Sequence, residues 1–224
     1  MPSCKKESET IMASVTIYPA DPTRVESKNP TTNYHTSSYL YVGYGGVANG
    51  IFRTLIDLDL SVIPDKAVIK TARMHIYQPT GLGLAGVLTF QAHSITGVLT
   101  PATVTWNTQP AIEAVAANAG LTCNVTGAPI WRDWDVATLI TEMLANDYDG
   151  ILLKSSSEGT ENDKGFYSSG VMLMYFVIEY ELPSKVNIGD AWKPATNIKV
   201  NVGDAWKPAS GMKVNIGDAW KEVF

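Results

Sequence analysis

From Ala13 onward the chain runs in short apolar bursts, most of them alternating with polar residues. These are ASVTIY (13–18), SYLYVGY (38–44), IFRTLIDLDL (51–60), AVIKTARMHIY (67–77), VLTFQAHSIT (87–96), GILLKSS (150–156) and VMLMYFVIEYEL (171–182). A period of two sends successive side chains to opposite faces, as in a half-buried strand. Turn formers separate the bursts: ADPT, KNPTTN, GYGGVANG, VIPDK and QPTGLGLAG. Many short strands with Gly/Pro turns predict an all-β fold, a β-sandwich or jelly roll. One segment departs from the period. In WDVATLITEMLANDYDG, Val136, Leu139, Ile140, Met143 and Leu144 share a helical face, which predicts one short helix capped by Asp135 and ending at Asn146.

Beyond residue 182 the pattern becomes an internal repeat. KVNIGDAWKPATNI, KVNVGDAWKPASGM and KVNIGDAWKEVF begin at Lys185, Lys199 and Lys213, a period of 14. In each copy a β-branched run meets Gly-Asp, a two-residue hairpin turn. Thr196-Asn197 and Ser210-Gly211 suit turns between copies, so the count fits a six-stranded antiparallel meander. With Gly189-Asp190 at the tip, Asn187 faces Trp192 and Val186 faces Lys193. An isolated meander is marginal in water. Trp192, Trp206 and Trp220 are therefore expected to pack in oligomerisation or attachment, with an exposed sugar-stacking ladder as the other reading. The chain divides into an N-terminal arm (1–12), a sandwich (13–182) and the hairpin repeats (183–224).

Composition narrows the function classes. The 224 residues are 45% hydrophobic and 17% charged, enough apolar content for a core and too little charge for wholesale disorder. Net charge is −5, so nucleic acid has no electrostatic footprint. The repeats carry six Lys against three Asp and one Glu, so the acidic excess lies in the sandwich. No stretch of about 18 apolar residues predicts a membrane helix. MPSCKKESETIM lacks the apolar run of a secretory signal, from which retention in a cytosol, or exit by a route other than standard secretion, is expected. Cys4 and Cys123 make no disulfide framework.

Catalytic and metal chemistry finds little support. Asp57 and Asp59 share a strand face, yet Leu58 and Leu60 point to the core, leaving both carboxylates in solvent. His35, His75 and His93 are scattered, with no zinc or iron spacing, and His75 and His93 read as ordinary strand histidines. Asp21, Glu26 and Glu179 are candidates for a calcium site. The glycines of GYGG (43–46) lack the GK[ST] ending, and no helix is expected after them, so they cradle no phosphate. No enzyme activity is expected. Flat aromatic faces with nearby polar groups suit sugar rings, which makes Tyr34, Tyr44 and Trp131 candidates for carbohydrate binding.

Several motifs resemble one family in order. NPTTNYHTSSYLYVG (29–43), RTLIDLDLSVIPDKAVIKTARMHIY (53–77), VTWNTQP (104–110) and DVATLITEMLANDYDGILLKSS (135–156), followed by Phe166-Tyr167-Ser168-Ser169, are similar to DNRLRE-type modules. The resemblance implies a jelly-roll β-sandwich akin to carbohydrate-binding modules, of the kind found in cell-surface and phage virion proteins, with Trp106 beside the core. The first strand lacks the usual Asp, His35 replaces a usual Gly and Leu58 a usual Phe. The AWK hairpins are similar to Trp-bearing repeats of Gram-positive phage structural proteins. Together these imply a non-enzymatic phage virion protein, decorating a capsid or tail, oligomeric through its repeats, in contact with other virion proteins and host-surface glycan. The alternative is a carbohydrate-binding module of a bacterial cell-surface or polysaccharide-degrading system.

Overall fold

The computed structural model describes residues 12–65, 67–124, 128–148, 150–168 and 173–182 in full. Of the repeats it describes the strand backbones at 185–187, 192–194, 199–202, 205–208, 213–216 and 219–222. The expected arm, save Met12, and Cys4 lie outside the described residues.

The strands run β1 (Met12–Ile17), β2 (Thr23–Glu26), β3 (Tyr39–Tyr44), β4 (Ile51–Asp57), β5 (Val68–Gln78), β6 (Val87–Ile95), β7 (Asn118–Asn124), β8 (Ile130–Asp135), β9 (Gly150–Ser155), β10 (Asn162–Tyr167) and β11 (Tyr175–Glu181). Helical turns are α1 (Gly46–Asn49) and α2 (Ala137–Asn146). One sheet has the order β1-β11-β5-β8, and the other β10-β3-β4-β9-β6-β7 with β2 added on β4. This is the jelly-roll β-sandwich that the alternation predicts. Contacts divide the chain into two compact units, one of Ser14–Pro64 with Ile69–Glu179 and one holding the repeats from Tyr180 onward.

Alternation decides which side chains meet. Along β5, Ala72, Met74, Ile76 and Gln78 are buried, while Arg73, His75 and Tyr77 point outward. Along β11, Phe176, Ile178 and Tyr180 are buried and Tyr175 and Glu179 are not. In the larger sheet burial is more continuous along β9. Residues Gly150–Leu153 of β9 are all buried. One cluster, Val25, Leu55, Ile95, Leu99, Val104 and Leu152, packs under Trp106 and Ile112. Trp106 is structural: the Arg53 guanidinium lies 4.6 Å over its ring and makes two 2.7 Å bonds to Glu158.

Helix α2 ends at Asn146, as its pattern predicts, with Asp147 in the left-handed region at φ 57°. Asp135 accepts the Ala137 amide at 2.9 Å, satisfying an otherwise orphaned donor. The expectation that no helix follows GYGG is corrected. Gly46 and Gly50, both at positive φ, bracket the single turn α1, closed by the Gly50 amide on the Gly46 carbonyl at 2.8 Å.

Four strands escaped the pattern: β2, β7, β8 and β10. The last, NDKGFY, is held between two close backbone approaches. Gly43 (φ +126°) pairs with Asp163, and a Cβ there would lie 2.2 Å from the Asn162 carbonyl oxygen. Gly83 (φ +112°) bridges Lys164, and its Cβ would lie 2.3 Å from the Asp163 carbonyl oxygen. Gly43→Ala therefore combines a disfavoured dihedral with a backbone collision. We expect it to lower stability by about 1–3 kcal/mol in denaturant titration.

In the repeats, β12 (Lys185–Asn187) pairs β13 (Trp192–Pro194), β14 (Lys199–Val202) pairs β15 (Ala205–Pro208), and β16 (Lys213–Ile216) pairs β17 (Ala219–Glu222). Asn187 faces Trp192, Asn201 faces Trp206 and Asn215 faces Trp220, the register that the Gly-Asp turns require. The described ladders lie within each copy. A short turn closes a hairpin at little cost in chain entropy.

Candidate functional site

The outward positions of β5, β8 and β11 bring aromatic rings into contact. Antiparallel pairing of β5 with β8 sets Tyr77 opposite Trp131 and His75 opposite Asp133. The Tyr77 and Trp131 rings meet at 5.4 Å and 67°, and Trp131 reaches over to Tyr175 at 5.3 Å and 64°. His75 lies flat on Tyr175, at 4.5 Å and 9°. Tyr18, just past β1, meets Tyr175 at 5.8 Å. At the other end Tyr77 stacks on Tyr167 of β10 at 5.8 Å, and Tyr167 stacks on Tyr39 of β3 at 5.3 Å.

The result is an unbroken row from Tyr18 to Tyr39, crossing the outer face of one sheet and continuing onto strands of the other. Tyr18 is 59% exposed, Trp131 38% and Tyr39 37%, while Tyr77, Tyr167 and Tyr175 are half-buried between them. Trp131 is turned steeply to both flanking tyrosines, and its 38% exposure leaves part of the side chain in solvent. Such half-exposed rings bury large apolar area against a partner at little conformational cost. Polar groups flank them. Arg73 donates to Asp133, and the Thr71 hydroxyl donates to Glu179 at 2.9 Å. The pKa of His75 is lowered, chiefly by burial, with Arg73 adding to the effect and Asp133 opposing it.

The structure thus brings one sequence-predicted sugar-binding residue, Trp131, into a ring cluster that sequence reading did not assemble. Tyr34 sits elsewhere. Its hydroxyl donates to Glu26 at 2.7 Å, and Arg24 lies 4.4 Å over its ring. Glu26 also accepts from Arg24 and Asn29. Burial alone would raise its carboxyl, but these bonds hold it below the usual range. Tyr44 ends β3, opposite Ile51 and Asn162. Of Trp192, Trp206 and Trp220 only the backbone register is described. Among the described residues, no three His, Cys, Asp or Glu side chains are gathered as a metal would require. Glu179, a calcium candidate, is the partner of Thr71 on the outer sheet.

A cavity of about 160 Å³ between Val87–Thr89 and Ser155–Thr160 is lined by hydroxyls and is small beside usual ligand pockets. Its polar atoms are engaged with the protein: Ser156 donates to the Thr89 carbonyl and Asn162 to that of Val87. The row is the better candidate.

Residues 13–172 match carbohydrate-binding module family 96. The chain belongs to that family. The match spans the whole aromatic row except Tyr175 and stops short of the repeats. No curated protein matches the chain. The family is one of non-catalytic binding modules, so a face of open rings is chemistry it can use. Of the cysteines, Cys123 is the one among the described residues; it is buried, and burial pushes its thiol up to about 11. In a Cys4→Ser background, Ellman's reagent is expected to react only after denaturation.

Proposed function

We propose that this chain is a non-enzymatic adhesion protein that binds glycan through the Tyr18–Tyr39 row and assembles through its C-terminal repeats. The aromatic row carries the reading, since Tyr18, Trp131 and Tyr39 leave ring surface exposed with polar groups nearby. Membership of a carbohydrate-binding family supports it. The similarity of RTLIDLDLSVIPDKAVIKTARMHIY and VTWNTQP to DNRLRE-type modules supports the same reading. The likeness of the AWK repeats to those of phage structural proteins supports a virion setting, with other virion proteins as neighbours and host-surface glycan as the target. A module serving a bacterial polysaccharide-degrading system is the second reading, favoured by the family itself.

A glycan array probed with the full chain tests the binding role, and the absence of any glycan signal would sink it. Light scattering tests assembly: the full chain is expected as an oligomer and a chain ending at residue 182 as a monomer. A monomeric full chain at micromolar concentration removes the assembly role. Detection in purified particles, as against culture supernatant enzyme complexes, separates the two settings.

A further inference from the structure

We infer that the C-terminal hairpins are a second binding surface, with like sites in tandem that hold a phosphodiester-linked sugar or polyol polymer. The repeats lie outside residues 13–172, so this surface is separate from the family's module and adds a ligand to the assembly role.

Register assigns the faces of each hairpin, because residues directly opposite in an antiparallel ladder share a face. In the first copy Lys185 and Asn187 lie opposite Pro194 and Trp192, and Val186 lies opposite Lys193 on the other face. The second copy repeats this register, and so does the third, with Glu222 in the place of proline. Each copy thus has a valine-bearing face, suited to assembly, and a face with one ammonium, one amide and one indole. Neither the Gly-Asp turn nor strand alternation requires Asn and Trp at those positions in every copy. The nine residues from Lys185 recur from Lys199 with one change, Ile188 to Val202. The next five, PATNI and PASGM, differ at three. The copies have diverged between the hairpins and hardly at all on them, the pattern of one contact made repeatedly.

The residue types then select the ligand. An indole with an amide on the same face suits the apolar side and the hydroxyls of a sugar or polyol. The ammonium adds a preference for negative charge. The repeats hold six Lys against three Asp and one Glu in a chain of net charge −5, so an anion is drawn to the repeats and repelled by the sandwich. In the described ladders of the first two copies, the residues opposite the lysines are proline and valine, and no acid stands across from them. The repeats contain no arginine. Without the planar fork that grips a carboxylate at two points, cation recognition rests on point charges, which suit a phosphate better than a uronate. A polymer with one phosphate per unit engages several copies at once, and each weak contact raises the effective concentration for the next. Glu222 stands opposite Lys213 in the last copy, which makes that copy the weakest.

Interferometry of the full chain on immobilised poly(glycerol phosphate) is the test. Binding is expected, and it should weaken steeply with added salt. The double variants Lys185→Gln/Lys199→Gln and Trp192→Ala/Trp206→Ala should each lose about tenfold or more in affinity. Lys213→Gln should lose less than either, and Glu222→Pro should gain. Oligomeric state by light scattering and binding of the best array glycan should stay at wild-type values in all four. The lysine variants remove charge without changing the hairpin turn, so they decide the matter even where a tryptophan variant fails to fold. No binding to the polymer, or lysine variants at wild-type affinity, would overturn the inference. Polygalacturonate or single-stranded DNA bound as tightly as poly(glycerol phosphate) would overturn the phosphate–polyol assignment. Dissociation of the oligomer by Trp192→Ala/Trp206→Ala would place the indole face in the assembly contact instead. Each of these results leaves glycan binding by the aromatic row standing, since the array reads that separately.

Discussion

Trp131→Ala is expected to weaken glycan binding about thirtyfold or more while leaving the fold in place. Trp131 touches Tyr77 and Tyr175 and so closes the middle of the row. Its removal takes away the largest open ring and loosens two others. A large aromatic residue at the centre of a contact surface characteristically contributes about 2 kcal/mol or more, which is the factor stated. Stability should change little, because the side chain stands on the outer face of β8 at 38% exposure. Trp131→Phe keeps a flat ring and should recover part of the loss. Calorimetry on the best ligand of the array, with thermal melts alongside, checks this. Unchanged binding by Trp131→Ala would move the site away from the row.

Lys164→Ala is expected to cost about 3–5 kcal/mol of stability. Lys164 is fully buried in β10, an uncommon place for an ammonium group. It is held there by acceptors: Nζ donates to the carbonyls of Leu84 at 2.8 Å and Asp163 at 2.9 Å, and to the Asn162 side-chain oxygen. The Leu84 amide in turn donates to the Asp163 carbonyl, and the Gly165 amide to that of Leu82. One cation therefore ties residues 82–84 to β10. Alanine leaves three acceptors without their donor and a void behind them. Lys164→Met fills the void but not the hydrogen bonds, and should fall between alanine and wild type. Denaturant titration at neutral pH measures both, and an alanine variant within 1 kcal/mol of wild type would show that water replaces the ammonium.

The pH dependence of this group has a definite sign. Burial lowers its pKa from the ordinary lysine value. Between the folded and the unfolded pKa the unfolded chain binds more protons, so Lys164 makes stability rise with pH across that interval. Alkaline pH up to the ordinary lysine range should therefore not loosen the 82–84 segment through this residue.

Much of this protein was legible from its residues because the relevant forces are local. Alternation in AVIKTARMHIY predicted the strand, whose period of two sets Met74 and Ile76 inside and His75 and Tyr77 outside. The helical period after Asp135 located α2 to its last residue, and Gly-Asp fixed the register of each repeat. These patterns survive without knowledge of neighbours, since a strand's side-chain period and a turn's dihedrals are properties of a few consecutive residues. Strand β10 was not legible. NDKGFY looks like a polar loop until Lys164 finds acceptors on Leu84 and Asp163, and Gly43 and Gly83 admit its backbone from two sides. Those partners lie far away in the chain, so no local pattern announces them. The row has the same origin. Trp131 could be suspected alone, but its juxtaposition with Tyr175 and Tyr77, and theirs with Tyr18, Tyr167 and Tyr39, depends on which strands become neighbours. Sequence determined which side chains face outward on each strand; only the tertiary structure decided which outward rings meet, because strand order is set by long-range pairing that the alternation does not encode.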